Sequence, residues 1–263
     1  MAIPGASSGT PATSEPVATG ARILWRIATV LEVVPETPRT RTVFFDVPGW
    51  PGHRAGQHVD VRLTADDGYQ TERSYSIASP PGESRLALTV ERLDDGEVSP
   101  YLTDELHPGD QIELRGPVGG YFVWDVETGG PLFLVGGGSG IVPLMAMARQ
   151  RALESSRIPT RLLYSARSLD DVIYRDELAE LAARGDGFDV VYTLTRTQPA
   201  GWDGYGRRVD TDLLREVGPV SSELAVAFVC GPTPFVEAVA SGLVELGHEP
   251  ARIKTERFGP TGG

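Results

Sequence analysis

Apolar and polar residues alternate through the first half of the chain. Val59, Val61 and Leu63 stand against Asp60 and Arg62, which is the period of a strand with one face buried. The same reading predicts short strands at 23–34, 41–47, 57–63, 71–79, 85–92 and 111–114. Pro48-Gly49, Pro80-Pro81-Gly82 and Pro108-Gly109-Asp110 supply the turns between them. Several short strands separated by such turns predict a small antiparallel β-barrel up to about Val118.

After about Gly130 the period changes. Short apolar runs at 131–135, 161–165, 189–194 and 225–229 alternate with helical stretches, the pattern of parallel strands covered on both faces by helices. The last helix is the clearest. Thr233 is placed to cap it, Pro234 suits its first turn, Val236, Val239, Leu243 and Leu246 share a face, and Gly247 can end it. The segment 126–130 joining the halves is short, so a cleft between them is expected.

A chain of 263 residues has room for two such cores. No run approaches the ~18 apolar residues of a spanning helix, so membrane insertion is not expected. The net charge of −12 opposes a phosphate backbone and no Lys/Arg run offsets it, which argues against nucleic acid. An acidic surface suits a basic protein partner, and it equally keeps a soluble protein dispersed. Residues 1–20 are rich in Ala, Gly, Ser, Thr and Pro and lack the form of a secretory signal. A disordered tail and a cytoplasmic location are the expectation. Cys230 is the only cysteine, so this sequence ligates no iron–sulfur cluster by itself. His53, His58, His107 and His248 show no metal-ligand spacing and are read as surface or turn residues.

Three segments carry candidate chemistry. Arg73-Ser74-Tyr75-Ser76 lies in a predicted strand, with Arg73 and Tyr75 on one face and the serines on the other. Arginine grips a diphosphate and tyrosine stacks on a flat heteroaromatic ring, although a solvated strand face with a core tyrosine has the same pattern. Gly136, Gly137, Gly138 and Gly140 follow a strand and precede an apolar helical run containing Pro143. That context suits a pyrophosphate at a helix N-terminus, but the spacing is not G-x-G-x-x-G, and a glycine turn without a ligand is the competing reading. Cys230-Gly231-Pro232 sits at the carboxyl end of a predicted strand, the sheet edge where open α/β folds bind ligands.

Taken in order, the chain resembles the ferredoxin-NADP reductase family, more closely its bacterial oxygenase-reductase-like branch lacking a fused 2Fe-2S domain. The matching stretches are Arg73-Ser74-Tyr75-Ser76-Ile77-Ala78-Ser79, Gly96-Glu97-Val98-Ser99, Gly116-Pro117-Val118-Gly119, Leu134 to Pro143, Tyr164-Ser165-Ala166-Arg167, Cys230-Gly231-Pro232 and Glu256-Arg257-Phe258-Gly259. The resemblance implies a two-domain fold: an FAD-binding antiparallel β-barrel at 21–126, then an NAD(P)-binding α/β domain with a parallel sheet at 130–263. It also implies roles. Arg73 would bind the FAD diphosphate, Tyr75 would lie against the flavin or its ribityl chain, and Ser76 would bond near flavin N5, which requires a local bend in the strand. Val90 and Arg92 match the next flavin-edge strand, and Gly96, Val98 and Ser99 match the loop that offers N–H groups to the diphosphate. Gly136, Gly137, Gly138, Gly140 and Pro143 would hold the NAD(P)H pyrophosphate. Cys230 would lie beside the nicotinamide as a positioning residue, with Glu256 and Phe258 near the flavin ring. Ser76, Cys230 and Glu256 form the implied catalytic set, and no metal is implied.

The coenzyme stays open between NADP(H) and NAD(H). Arg167, Thr195, Arg196 and Arg207 approximate a 2′-phosphate site, which favours NADP(H). The cofactor is expected to be FAD, with FMN as the alternative. The function implied is hydride transfer from NAD(P)H to FAD and onward electron transfer to an external acceptor protein, such as a ferredoxin or oxygenase component. A flavin or quinone reductase with a small-molecule acceptor is one alternative, and a non-catalytic flavin-binding redox sensor is the other.

Overall fold

The computed structural model of the protein describes residues 23–219 and 225–259; the expected tail at 1–20 lies outside them. Six strands form the first sheet: β1 (Trp25–Thr37), β2 (Thr40–Asp46), β3 (His58–Thr64), β4 (Gln70–Ser76), β5 (Leu86–Glu91) and β6 (Gln111–Val118). They run in the order β4-β3-β6-β1-β2-β5, all pairs antiparallel. An Ile77–Leu88 bridge brings the two ends together and closes the barrel. Inward positions two apart, Val59 and Val61 on β3 and Leu88 and Val90 on β5, meet Val43, Phe45 and Leu114 in one apolar core. The short helix α1 (Val98–Pro100) adds Val98 to that core.

The second sheet is parallel, in the order β11-β10-β7-β8-β9. Its strands are β7 (Leu132–Gly137), β8 (Thr160–Ala166), β9 (Phe188–Leu194), β10 (Val226–Pro232) and β11 (Ile253–Phe258). Helix α2 (Ile141–Leu153), α3 (Arg175–Ala183), α4 (Thr211–Val217) and α5 (Thr233–Glu245) cover its two faces. Alpha5 differs from expectation at its start. Strand β10 runs on to Pro232, so Thr233 is already helical and no side chain caps it. Its end is as expected: the amides of Gly247 and His248 bond to the carbonyls of Val244 and Leu243, the hydrogen-bond pattern of a Schellman close.

Strand β4 also stops three residues short of the expected 79. At Ile77 the N–H turns to the Gln57 carbonyl, and Ala78 bonds to Ala87, because the chain crosses there from β3 to β5.

The two halves share an apolar core. Ala55, Ala78, Phe122 and Trp124 from the first half pack with Ile141, Leu144, Met147 and Phe228 from the second, and Phe122 meets Phe228 edge-to-face at 5.3 Å. Trp124 is fully buried and its indole N–H donates to the Gly129 carbonyl at 2.9 Å. Replacing Trp124 by Ala is expected to lower unfolding free energy by about 3–5 kcal/mol. Denaturant unfolding measures it, and a loss below about 1 kcal/mol would mean that the halves do not share a packed core.

Candidate functional site

Three strand ends of the parallel sheet form a row at the cleft. Cys230 on β10 is the register partner of Gly136 on β7 and of Glu256 on β11. Across the cleft, the Ser76 hydroxyl at the end of β4 donates to Glu256 Oε1 at 3.5 Å. Residues 180 positions apart thus meet from opposite halves. They border a cleft of about 530 Å³ whose wall includes His58, Ser76, Tyr121, Glu256 and Phe258.

The glycines divide into two kinds. Gly136 and Gly137 belong to β7 itself, not to a turn after it. A Cβ on Gly137 would press on the Phe235 ring at 2.9 Å. A Cβ on Gly140 would lie 2.1 Å from the Cys230 carbonyl oxygen and 2.7 Å from the Gly231 nitrogen. These are packing glycines. Gly138 has φ +56° and faces open space, its nearest neighbour being Glu91 Oε2 at 3.9 Å from an added Cβ. Gly138 to Gly140 form a tight turn that enters α2, with Pro143 buried in the first helical turn. Gly138, just before a 13-residue helix, lines a small pocket with Glu91 and Arg167, and the helix N-terminus beside it suits a pyrophosphate.

Electrostatics at the row follow from burial. Cys230 is only 2% exposed, and burial, reinforced by the neighbouring Glu256 carboxylate, pushes its thiol ionisation up. A neutral, buried thiol is a poor nucleophile and a compact, polarisable contact surface. Burial also raises the Glu256 carboxyl to about 7, against the opposing hydrogen bond from Ser76. The site therefore holds a proton at Glu256 up to about neutral pH.

Strand β4 keeps an unbroken register with β3 through Ser76 opposite His58 and Tyr75 opposite Val59. The bend expected between Tyr75 and Ser76 is absent; the chain turns only after Ser76. Tyr75 packs against the barrel core, and burial pushes its phenol ionisation up. Ser74 and Ser76 face the cleft. Beta4 is the last strand in the sheet order, and its serine face is the one that borders the cleft. Arg73 is exposed and donates to the Glu72 carbonyl at 2.7 Å. Among the described residues no carboxylate pairs with it, which leaves its guanidinium available to a phosphate.

The other expected cofactor residues are less directly placed. Val90 points into the barrel core at 1% exposure, so only its backbone faces outward. Arg92 pairs with Asp104 at 2.7 Å and also with Asp94. Ser99 accepts the Leu93 N–H at 3.0 Å and closes the Gly96 loop on itself, while Val98 is buried. Glu97, between them, accepts hydrogen bonds from Tyr69 and Thr71.

Arg167, Thr195 and Arg196 do converge at the ends of β8 and β9. Arg196 and Thr197 donate backbone N–H groups to the Arg167 carbonyl, and Thr195 Oγ1 donates to the Ala166 carbonyl at 3.1 Å. Arg207 leaves this set, because its guanidinium is held by Glu216 at 2.7 Å and lies 3.7 Å from Asp210. Three of the histidines read as surface or turn residues are less exposed than a surface position. His53 is half-buried. His248 is buried at 7% exposure, and His58 is half-buried in the cleft wall, where burial lowers its imidazole pKa. The strand alternation around Val59 held the clue to His58, since it sets 58 and 60 on the face opposite the barrel core. Tyr121, in a loop, carried no periodic signal.

Residues 32–123 match the oxidoreductase FAD-binding domain family and residues 134–241 the oxidoreductase NAD-binding domain family. NADH-cytochrome b5 reductase 1 of Aspergillus terreus is 31% identical over 215 residues, 79% of this chain and 71% of that protein. The chain belongs to the ferredoxin-NADP reductase family. Within the family, the glycine betaine monooxygenase reductase subunit of Pseudomonas aeruginosa is 35% identical over 236 residues, covering 88% of this chain. The chain spans 63% of that relative's length. The crystal structure of an Amycolatopsis cytochrome P450 reductase superposes with a TM-score of 0.80 at 29% identity, over 92% of this chain and 72% of that one. Both sheets thus belong to the ferredoxin-NADP reductase architecture, and no helix among the described residues is long and apolar enough to cross a membrane.

The raised pKa of Glu256 has a stability consequence. Between its ordinary value of 4.5 and about 7 the unfolded carboxyl ionises while the folded one stays protonated. Folding therefore loses stability as pH rises through that window and regains none above it. Glu256→Gln removes the titration, so its stability relative to wild type is expected to be higher at pH 8 than at pH 4. Thermal melts at the two pH values measure this, and an equal difference at both would contradict the shift.

Proposed function

We propose that this chain is an NAD(P)H-oxidising flavoprotein that takes hydride onto FAD and passes electrons to a separate acceptor protein. The observation that carries the reading is the meeting of Ser76 with Glu256, and of Glu256 with Cys230, at the cleft between the two sheets. Flavin accepts two electrons together and releases them singly, and the protein's part is to align two rings and keep water away. On this reading the barrel domain extends over 21–126 and the nucleotide domain over 130–263.

Within that reading, Arg73 and the Gly96-to-Ser99 loop bind the diphosphate. Tyr75 and Ser76 would lie near the ring edge, and the Ser76 hydroxyl would turn its one proton from Glu256 to flavin N5. Gly138 and the α2 N-terminus take the coenzyme pyrophosphate, and Cys230 fixes the nicotinamide by contact. Glu256 would hold a proton beside the flavin, and Phe258, 37% exposed on the rim, would lie near the ring. The acceptor is a centre held elsewhere than on these residues, since Cys230 is the only cysteine and the described residues contain no metal-ligating cluster. Relatives named as reductase subunits of monooxygenases support an oxygenase component or a ferredoxin in that place. A cytoplasmic location follows from the need for NAD(P)H.

NADPH is the favoured coenzyme, because Arg167 and Arg196 share one strand-end corner and, among the described residues, neither pairs with a carboxylate. Anaerobic mixing with NADPH is expected to bleach the flavin absorbance; a spectrum unchanged by both coenzymes would refute the enzyme reading. Wild type is further expected to show the higher kcat/KM with NADPH. Arg167→Ala with Arg196→Ala should lower that value by about tenfold or more and leave NADH turnover nearly unchanged. A wild-type preference for NADH would remove the 2′-phosphate assignment.

A further inference from the structure

A line of buried hydroxyls crosses from one half of the molecule to the other, away from the cleft. Tyr174, just before α3, is 3% exposed. Its phenol donates to Thr89 Oγ1 on β5. Thr89 and Thr42 are joined at 2.7 Å, and Thr42 donates to Glu36 Oε1 at 2.6 Å. A threonine hydroxyl has one proton to give. Since Thr42 gives its proton to Glu36, Thr89 must donate to Thr42, and Tyr174 to Thr89. The polarity of the whole line is thereby fixed, and each bond strengthens the next.

Tyr174 reaches the barrel at a conformational cost. Its φ of +59° lies in the left-handed region, strained for a bulky side chain and retained only where surroundings over-determine it. Arg149 on α2 is part of those surroundings. Its guanidinium lies 4.6 Å from the Tyr174 ring centre, pairs bidentately with Glu177 at 2.8 and 2.6 Å, and donates to the Ala78 carbonyl at 2.7 Å. Ala78 is two residues beyond Ser76, and α2 begins at the glycine turn. One side chain therefore ties the helix behind the glycine turn to the strand end that carries Ser76.

The apolar core between the halves has no direction of its own, because hydrophobic contact is non-directional. Hydrogen bonds are directional; the one from Tyr174 to Thr89 is buried and crosses from the parallel-sheet half, and Thr42 and Glu36 anchor it within the barrel. We propose that Tyr174 is a positioning residue: its hydroxyl line to Thr89, Thr42 and Glu36, braced by Arg149, holds the parallel-sheet half in one rotational setting on the barrel. That setting fixes the approach of nicotinamide to flavin. The catalytic consequence rests on the hydride-transfer reading above; the mechanical part does not.

Stopped-flow mixing with NADPH under anaerobic conditions compares wild type, Tyr174→Phe, Thr89→Val and the double variant. Each single variant is expected to reduce flavin about tenfold more slowly or worse, with flavin content and half-saturating NADPH within about twofold of wild type. The double variant should be no slower than the slower single one, because both changes delete the same bond. Single-variant rates close to wild type, or effects that multiply in the double variant, overturn the assignment.

A second arm needs no turnover. Cys230 is buried, so spin labels at Asp66→Cys and Leu153→Cys, both exposed positions in opposite halves, report the distance between halves in the full chain. Tyr174→Phe should broaden or shift that distance distribution; an unchanged distribution overturns the clamp. A wild-type protein that NADPH fails to reduce would instead refute the enzyme reading, with the clamp still decided by the distances.

Discussion

Everything at the cleft depends on how closely the turn after β7 lies on β10. Gly140 rests on the backbone of Cys230 and Gly231 with no room for a single added carbon. That contact places the start of α2 beside the end of β10. Register then carries the alignment outward, from Gly136 through Cys230 to Glu256. A looser turn would separate the helix N-terminus, which suits a phosphate, from the thiol and carboxyl that stand where rings would meet.

The barrel supplies the other wall, and burial sets its electrostatics. Ser76 reaches Glu256 from a strand whose next residue already turns away to β5. The same burial keeps the Cys230 thiol protonated and raises the Glu256 carboxyl to about 7. A site with a neutral thiol and a poised carboxyl is suited to aligning rings and holding one proton. It is unsuited to covalent attack by the cysteine. Between the halves, the apolar core around Trp124 provides adhesion, and the hydroxyl line from Tyr174 provides direction.

Much of this was legible in the sequence because it is periodic or punctuated. Alternation at Val59, Val61 and Leu63 gave β3 and its inward face, and the apolar runs gave β7 to β10. The order of motifs from Arg73 to Phe258 gave the family. What the sequence did not disclose depends on contacts between distant segments. Gly136, Gly137 and Gly140 read as a phosphate loop, yet neighbouring protein crowds each of them, while Gly138 has only Glu91 within reach and lines a small pocket beside Arg167. Arg207 read as a phosphate ligand until Glu216, nine residues on, proved to hold it. Thr233 lost its capping role because β10 extends to Pro232. Tyr174 had no local signal at all, since its left-handed backbone and its partner Thr89 are both set by tertiary packing.

The central claim is that the close seating of the glycine turn on Cys230 aligns the helix N-terminus with the thiol and carboxyl at the ends of β10 and β11. Gly140→Ala tests it most directly, because the added methyl must displace backbone. With the barrel untouched, the variant is expected to retain its flavin while the rate of flavin reduction by NADPH falls about a hundredfold. A variant that retains flavin and is reduced at the wild-type rate would contradict the account.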